Sequence, residues 1–365
     1  LLSSYQPIFE SSSDISNYLR NADMQFGTIK DENGNEIELS ESNYSGLIRS
    51  SNREVRKNAF SQLMLSYAKM KNTLTSTYNT RVNYDTITSR VRKYKSSIEM
   101  YLDPKKIPVA LYNNLIKTVR NNLEPLYEYF ALKKQILGLS DFHLYDGYVS
   151  VVSESDKKYT FDEAKDIVVD ALKVLGKDYI KVLKTAFSDG WIDKYPNKGK
   201  RVGAYSFGVY DSLPYVSLNF VGNYDDVSTL AHELGHSMHS YYANKNNSYI
   251  QANYPIFLAE IASTTNELLL NHYMLEHATD KKEKLNILNA KLDLFKGTLY
   301  RQTMFAEFEK ITHKMVEEGE TLTSDILCKV YYDLNKQYFG EDMVLDEEIA
   351  LEWARICLLY TSDAA

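Results

Sequence analysis

Residues 228–242 read STLAHELGHSMHSYY, with HELGH at 232–236. Val227, Leu230 and Ala231 ahead of the pentad keep a helical spacing, and Asp225 or Asp226 is placed to cap the helix, so the pentad lies well inside it. Side chains at i and i+4 leave one helix face with Cβ atoms about 6 Å apart. His232 and His236 can therefore share one ion, a convergence that zinc–nitrogen bonds of about 2.1 Å require. Glu233 is rotated off that line, where a carboxylate can take a proton from an activated water and hand it to a leaving amine. By composition, such a pentad arises by chance in roughly one chain of this size in a hundred. The reading therefore needs a third ligand.

A metzincin has a glycine three residues after the second histidine and a third histidine three residues beyond it. His239 and Tyr242 stand there instead, which excludes that class. His239 falls near the face of His232 but about 10 Å further along the axis, which suits a supporting or polar cleft residue better than a ligand. Between Ser237 and Ala259 there is no Asp or Glu; the first carboxylate is Glu260, in YPIFLAEIASTTNELLLNHY (254–273). Pro255 suits the start of that helix, which puts Glu260 about a turn inside it. Glu267, seven residues on, shares the face of Glu260, with Ser263 beside them. Two acids on one face of an apolar helix are costly to bury unless compensated. A zinc ion at Glu260 and a histidine hydrogen-bonded to Glu267 would compensate both; the alternative is a helix edge where both are merely solvated. Three protein ligands leave one zinc position open, the mark of a catalytic site. A closed four-ligand site would draw on cysteines, and the chain has only Cys328 and Cys357. The expected chemistry is hydrolytic.

The rest of the composition is compatible with this. The 365 residues are 44% hydrophobic and 25% charged, the profile of a soluble globular protein with a sizeable core. A net charge of −7 argues against nucleic acid or an anionic membrane as partner. Two cysteines imply no disulfide framework, and a reducing, cytoplasmic setting fits. No apolar run is long enough to span a bilayer. The chain begins at Leu1, so the lack of a visible signal peptide carries no weight.

The patterning predicts a mostly α fold. MQFGTIKDENGNEIELS (24–40) reads as a β-hairpin around Glu-Asn-Gly-Asn. Helical periodicity covers 52–95 and 110–137, the latter stopped by Gly138. In 159–176, Ala164, Ile167, Val168, Ala171, Leu172 and Leu175 form one face, with Gly176 as cap, and a helix over 177–189 ends at Gly190. Residues 198–222 read as a loop and two strands, YVSLNFV (215–221) being the better strand. Helices follow at 226–243, 256–277, 281–317 and 323–338. The thirty tyrosines are scattered and read as amphipathic filler between helices.

HELGHSMH followed by FLAEIASTTNE resembles the oligoendopeptidase F family, relatives of thimet oligopeptidase. GKRVGAYSFGVYDSLPYVSLNF (199–220), GTLYRQTMFAEFE (297–309) and RKYKSSIEMYLDPKKIPVALYNNLI (92–116) extend the likeness over nearly the whole chain. The resemblance implies a helical zinc peptidase with a deep channel that admits short peptides and excludes folded proteins, one zinc ion held by His232, His236 and Glu260, and Glu233 as general base. Glu267, Ser263 and His239 are expected to support the site, and Gly203, Ala204, Tyr205, Tyr215, Ser217 and Asn219 to bind substrate. An extended peptide could add to an edge of YVSLNFV; the alternative is a strand paired on both sides. The expected division is an N-terminal helical lobe over 1–95 and a catalytic domain over 96–356.

Two departures stand out. Family members are usually longer, and after LEWARI (351–356) they usually continue with Pro-His-Phe-Tyr, whose histidine and a nearby tyrosine donate hydrogen bonds to the oxyanion. Here CLLYTSDAA (357–365) follows, which reads as translated adaptor sequence rather than natural protein. Losing one oxyanion donor costs about 10²–10³ in rate, so this chain is expected to bind zinc and hydrolyse peptides slowly. Two competing readings are a carboxypeptidase-type helical zinc peptidase and a metal-binding helical fragment without turnover. Ligand type favours zinc among divalent ions without closing the choice. The resemblance points to a bacterial source.

Overall fold

A computed structural model describes residues 2–152, 157–197, 200 and 203–355; the tail CLLYTSDAA and most of KGKRV (198–202) lie outside them. The described chain is mostly α-helical, with five short strands, and divides into two units. One unit takes in the chain up to Val151 and again from Leu294; the other runs from Val152 to Asp293.

The first unit opens with α1 (Leu2–Tyr18), α2 (Glu41–Leu47), α3 (Arg53–Lys69), α4 (Lys71–Val91), α5 (Ser97–Leu102), α6 (Val109–Arg120) and α7 (Glu124–Ile136). The predicted hairpin forms between α1 and α2, as antiparallel β1 (Thr28–Lys30) and β2 (Glu36–Glu38). Its turn is held by Asp31, whose carboxylate accepts from the backbone N–H groups of Asn33 and Asn35 at 2.8 Å. The stretch 110–137 is two helices, because a turn at 121–123 interrupts the helical hydrogen bonding, and Gly138 ends the second at φ +66°. In α3, Phe60, Leu63, Met64 and Tyr67 sit at helical spacing and are fully buried.

The second unit holds the candidate site. Its elements are α8 (Phe161–Ala171), α9 (Lys177–Ser188), the strands β3 (Ile192–Asp193), β4 (Tyr205–Phe207) and β5 (Tyr215–Ser217), then α10 (Tyr224–Asn246), α11 (Ile256–His277) and α12 (Lys281–Leu294). Thr160 and Glu163 form a reciprocal capping box at the start of α8. Ala164, Val168, Ala171 and Leu172 are buried as the periodicity predicts, but Leu175 is exposed. Residues 172–175 tighten into a 3₁₀ turn, whose shorter period swings Leu175 off the apolar face.

The small sheet differs from the sequence reading. It has three strands in the order β3–β5–β4, with β5 parallel to β3 and antiparallel to β4. The strand of YVSLNFV is therefore the central one, paired on both sides, and β4 is an edge. Two-residue β3 is too short to leave a pattern in the sequence.

Beyond α12 the chain returns to the first unit. The predicted helix over 281–317 is interrupted by a π-helical stretch, Phe295–Arg301, before α13 (Gln302–Glu317) and α14 (Ser324–Phe339). Several buried tyrosines here do more than fill space. Tyr331 and Tyr338 donate to the carboxylates of Glu352 and Glu307 at 2.6 and 2.8 Å, and Tyr67 donates to Glu41 at 2.6 Å. No described helix is long and apolar enough to cross a membrane.

Candidate metal centre

The pentad helix is capped two or three residues earlier than its acids suggest. The cap of α10 is Asn223, not Asp225 or Asp226: its side chain accepts from Asp226 N at 2.8 Å, and the Asp226 carboxylate accepts from Asn223 N at 3.0 Å. Asp226 is thus the reciprocal member of a capping box, a role that sequence spacing alone does not separate from the cap itself.

Helix α11 packs directly on α10, and Gly235 explains how closely. A Cβ at Gly235 would lie 2.7 Å from Ser263 Cα and 2.8 Å from Ala262 O. Asn266 adds a bond from its Nδ2 to the carbonyl of Ala231 at 3.1 Å. The result is that His232 and His236 face Glu260. His232 Nε2 lies 3.1 Å from His236 Nε2, and Glu260 Oε2 lies 3.6 and 3.7 Å from these two nitrogens. A triangle with those sides has its centre about 2.0 Å from each corner, the length of a zinc bond to nitrogen or carboxylate. The donor set therefore fits a zinc ion. Among the described residues no other group of three His, Cys, Asp or Glu side chains converges in this way.

The supporting shell fixes the donors. Glu267 Oε2 lies 3.1 Å from His232 Nδ1, and Ser228 Oγ donates to Glu267 Oε1 at 3.3 Å. This leaves the lone pair of His232 on Nε2, toward the other two donors. Burial lowers the basicity of His232, but the hydrogen bond to Glu267 and the surrounding carboxylates outweigh it and raise its pKa. Burial, then the neighbouring His232, lowers that of His236. Ser263 Oγ donates to Glu260 Oε2 at 2.9 Å.

Glu233 is buried, and its Oε2 has no hydrogen-bond partner among the described residues. Burial pushes its carboxyl up to about 7; His232 pulls the other way, and Glu260 and Glu267 add to the rise. A buried carboxylate with one unpartnered oxygen, next in sequence to one of the convergent donors, is suited to exchanging a proton. His239 stands apart from the triad, its ring stacked on Tyr254 with centroids 3.7 Å apart.

The six candidate substrate residues gather around the small sheet. Tyr205 pairs with Ser217 across β4 and β5, and Asn219 Nδ2 donates to Gly203 O at 2.7 Å, beside Ala204. Tyr205 and Tyr215 are exposed, Ser217 is buried. Sequence reasoning passed over Phe207, which pairs with Tyr215 and is 61% exposed, so three aromatic rings are presented to solvent from β4 and β5. Strict alternation along YSF is the signal that could have found it. Ser206, between them, bonds to Ser237 on α10 at 2.8 Å and holds the sheet against the pentad helix.

Two histidines a turn apart, a carboxylate from a following helix and a free carboxylate beside the first histidine are a donor set that metallopeptidases use. Comparison with known proteins agrees with this. Residues 47–362 match peptidase family M3, and the chain belongs to that family of metalloendopeptidases, within its oligoendopeptidase F group. The chain is 47% identical to oligopeptidase PepF of Bacillus subtilis over 99% of its own length and 54% of that protein. It is 41% identical to the chromosomal oligoendopeptidase F of Lactococcus lactis subsp. cremoris, over 93% of this chain and 56% of that one. The crystal structure of oligoendopeptidase-F from Enterococcus faecium superposes with a TM-score of 0.78 at 36% identity, covering 99% of this chain and 58% of that one. The chain thus spans little more than half the length of the relatives it matches.

Proposed function

We propose that this chain carries the metal centre of a zinc-dependent endopeptidase that hydrolyses short oligopeptides. The observation that supports it most directly is the convergence of His232, His236 and Glu260 to 3.1–3.7 Å of one another, with the adjacent Glu233 buried. A bound zinc ion would supply Lewis-acid polarisation of water and of the scissile carbonyl. Glu233 takes a proton from the attacking water at its carboxylate and returns it to the leaving nitrogen, so that it ends the cycle unprotonated. Glu267 holds the His232 ring in the tautomer that presents Nε2, and Ser263 steadies Glu260.

For substrate, the reading assigns the edge strand β4 rather than β5. An extended peptide adding there is held by main-chain hydrogen bonds, which tolerate many side-chain sequences. Gly203, Ala204 and Tyr205 lead into and begin that strand; Tyr215, Ser217 and Asn219 back it from its neighbour. A deep channel would restrict access to short, unfolded peptides.

The test is an internally quenched peptide amidated at its C-terminus, incubated with the zinc-loaded chain. Cleavage at an internal bond, abolished by a chelator and restored by zinc, supports the reading. Release of the last residue only from the free acid would move the assignment to a carboxypeptidase. Stoichiometric zinc without any cleavage would leave a metal-binding fragment.

A further inference from the structure

Glu260 is the fifth residue of α11, and the first turn of that helix is weakly anchored by its own side chains. Phe257, Leu258 and, a turn on, Ile261 are 53%, 44% and 53% exposed, Ala259 is the buried residue of that turn, and the cap residue, Pro255, offers no side-chain hydrogen bond. The close packing at Gly235 and the Asn266 bond grip α11 one to two turns further on. His236 hydrogen-bonds to the backbone of Ala259 within that turn, and a further contact can fix the chain entering it.

Tyr254 does so. It precedes Pro255, which restricts it to extended backbone and makes the pair a stiff lead-in to the helix. Its ring lies 3.7 Å from that of His239 at 14°, and its hydroxyl bonds to Ser240 Oγ at 2.6 Å. Both partners are on α10, one turn beyond His236. Ser240 also underlies the turn after β4, since a Cβ at Gly208 would lie 2.5 Å from Ser240 Cβ. His239 Nδ1 is buried with no hydrogen-bond partner among the described residues, and the side chain stacks on the Tyr254 ring.

We propose that Tyr254 is a positioning residue for Glu260: its stack on His239 and its bond to Ser240 fix the entry of α11 against α10, and so set how tightly the triad holds a zinc ion. The proposal rests on the metal-site reading above. It assigns His239 a role as a stacking surface rather than as a nitrogen donor.

The experiment measures zinc affinity of the 365-residue chain by competition with a chromophoric chelator, alongside the thermal midpoint of the metal-free protein. Removing a residue that orients a metal ligand typically costs about 10–100-fold in affinity. Tyr254→Ala and His239→Ala are each expected to weaken zinc binding by roughly tenfold or more, measured well below their own midpoints. Tyr254→Phe keeps the ring and should lose less than Tyr254→Ala. His239→Phe restores a stacking partner and should bind within a few-fold of the parent chain. Parent-like affinity in Tyr254→Ala overturns the proposal, and so does a loss in His239→Phe as large as in His239→Ala. Should Tyr254→Ala fail to fold, the Tyr254→Phe and His239 variants decide. The underlying reading fails separately: the parent chain would then bind no stoichiometric zinc, or Glu260→Ala would bind it as tightly as the parent.

Discussion

Glu267 Oε2 and His232 Nδ1 lie 3.1 Å apart, joining a carboxylate seven residues beyond Glu260 to the ring that faces it. The pair explains why two acids share one face of α11: one faces the candidate ion position, and the other orients a ring that does the same. Glu267→Ala is expected to weaken zinc binding about 10–100-fold while leaving one site per chain. Chelator competition measures this. Affinity equal to the parent would show that the His232 ring is held by packing alone.

Glu233 is predicted to separate binding from turnover. General acid–base groups contribute about 10²–10⁴ in rate, so Glu233→Gln should lower peptide hydrolysis by that order at unchanged zinc stoichiometry. Turnover and metal content measured on the same preparation give the answer. A loss of zinc together with activity would instead mark Glu233 as a ligand.

Gly235 should not tolerate alanine. The atoms nearest a new Cβ belong to the α11 backbone at 2.7–3.0 Å, and a backbone cannot swing aside as a long side chain can. Overpacking costs about 1–3 kcal/mol, and a clash with backbone belongs at or above the top of that range. Denaturant unfolding of Gly235→Ala reads it directly, and stability equal to the parent would mean that the helices do not approach this closely.

Asp146, in the first unit, should govern part of the acid sensitivity. It is fully buried and accepts from Arg56 at 2.7 Å and Arg53 at 2.8 Å. Burial alone would raise its carboxyl, but Arg53, Arg56 and the His143 N–H outweigh burial and hold it below the usual aspartate value of 3.8. A depressed folded-state value means that the stabilisation is complete above that unfolded value and fades as the pH falls below it. At pH 7, Asp146→Asn should cost about 3–5 kcal/mol, because it strands buried guanidinium charge. The gap between variant and parent should close on acidification. Unfolding free energies from pH 7 down to pH 3 test this, and a gap that does not change with pH would reject the ion-pair account.

The helices and the paired histidines of the candidate metal site were legible from the chain because both depend on local spacing. His232 and His236 converge through the i to i+4 geometry of one helix, and Glu260 is the first carboxylate that follows. The turn at Asp31–Asn35 and the helix end at Gly138 likewise follow from backbone preferences of the residues themselves. Other features have no local cause. Asn223 and Asp225 are both good caps, and only the place where the chain leaves the strand decides between them. Leu175 has the right period but lies where the helix tightens. The middle position of β5 depends on a two-residue strand more than twenty residues away, and strand order is a property of pairing rather than of pattern.

The chain by itself therefore marked which residues are candidates to bind an ion, since ligand chemistry and helical period are written in the sequence. The tertiary structure decided how the donors are held: by Gly235 letting two helix backbones close up, by Glu267 reaching His232, and by Tyr254 resting on His239. Those contacts join residues from different elements, and their strength depends on distance and burial, which no single stretch of sequence encodes.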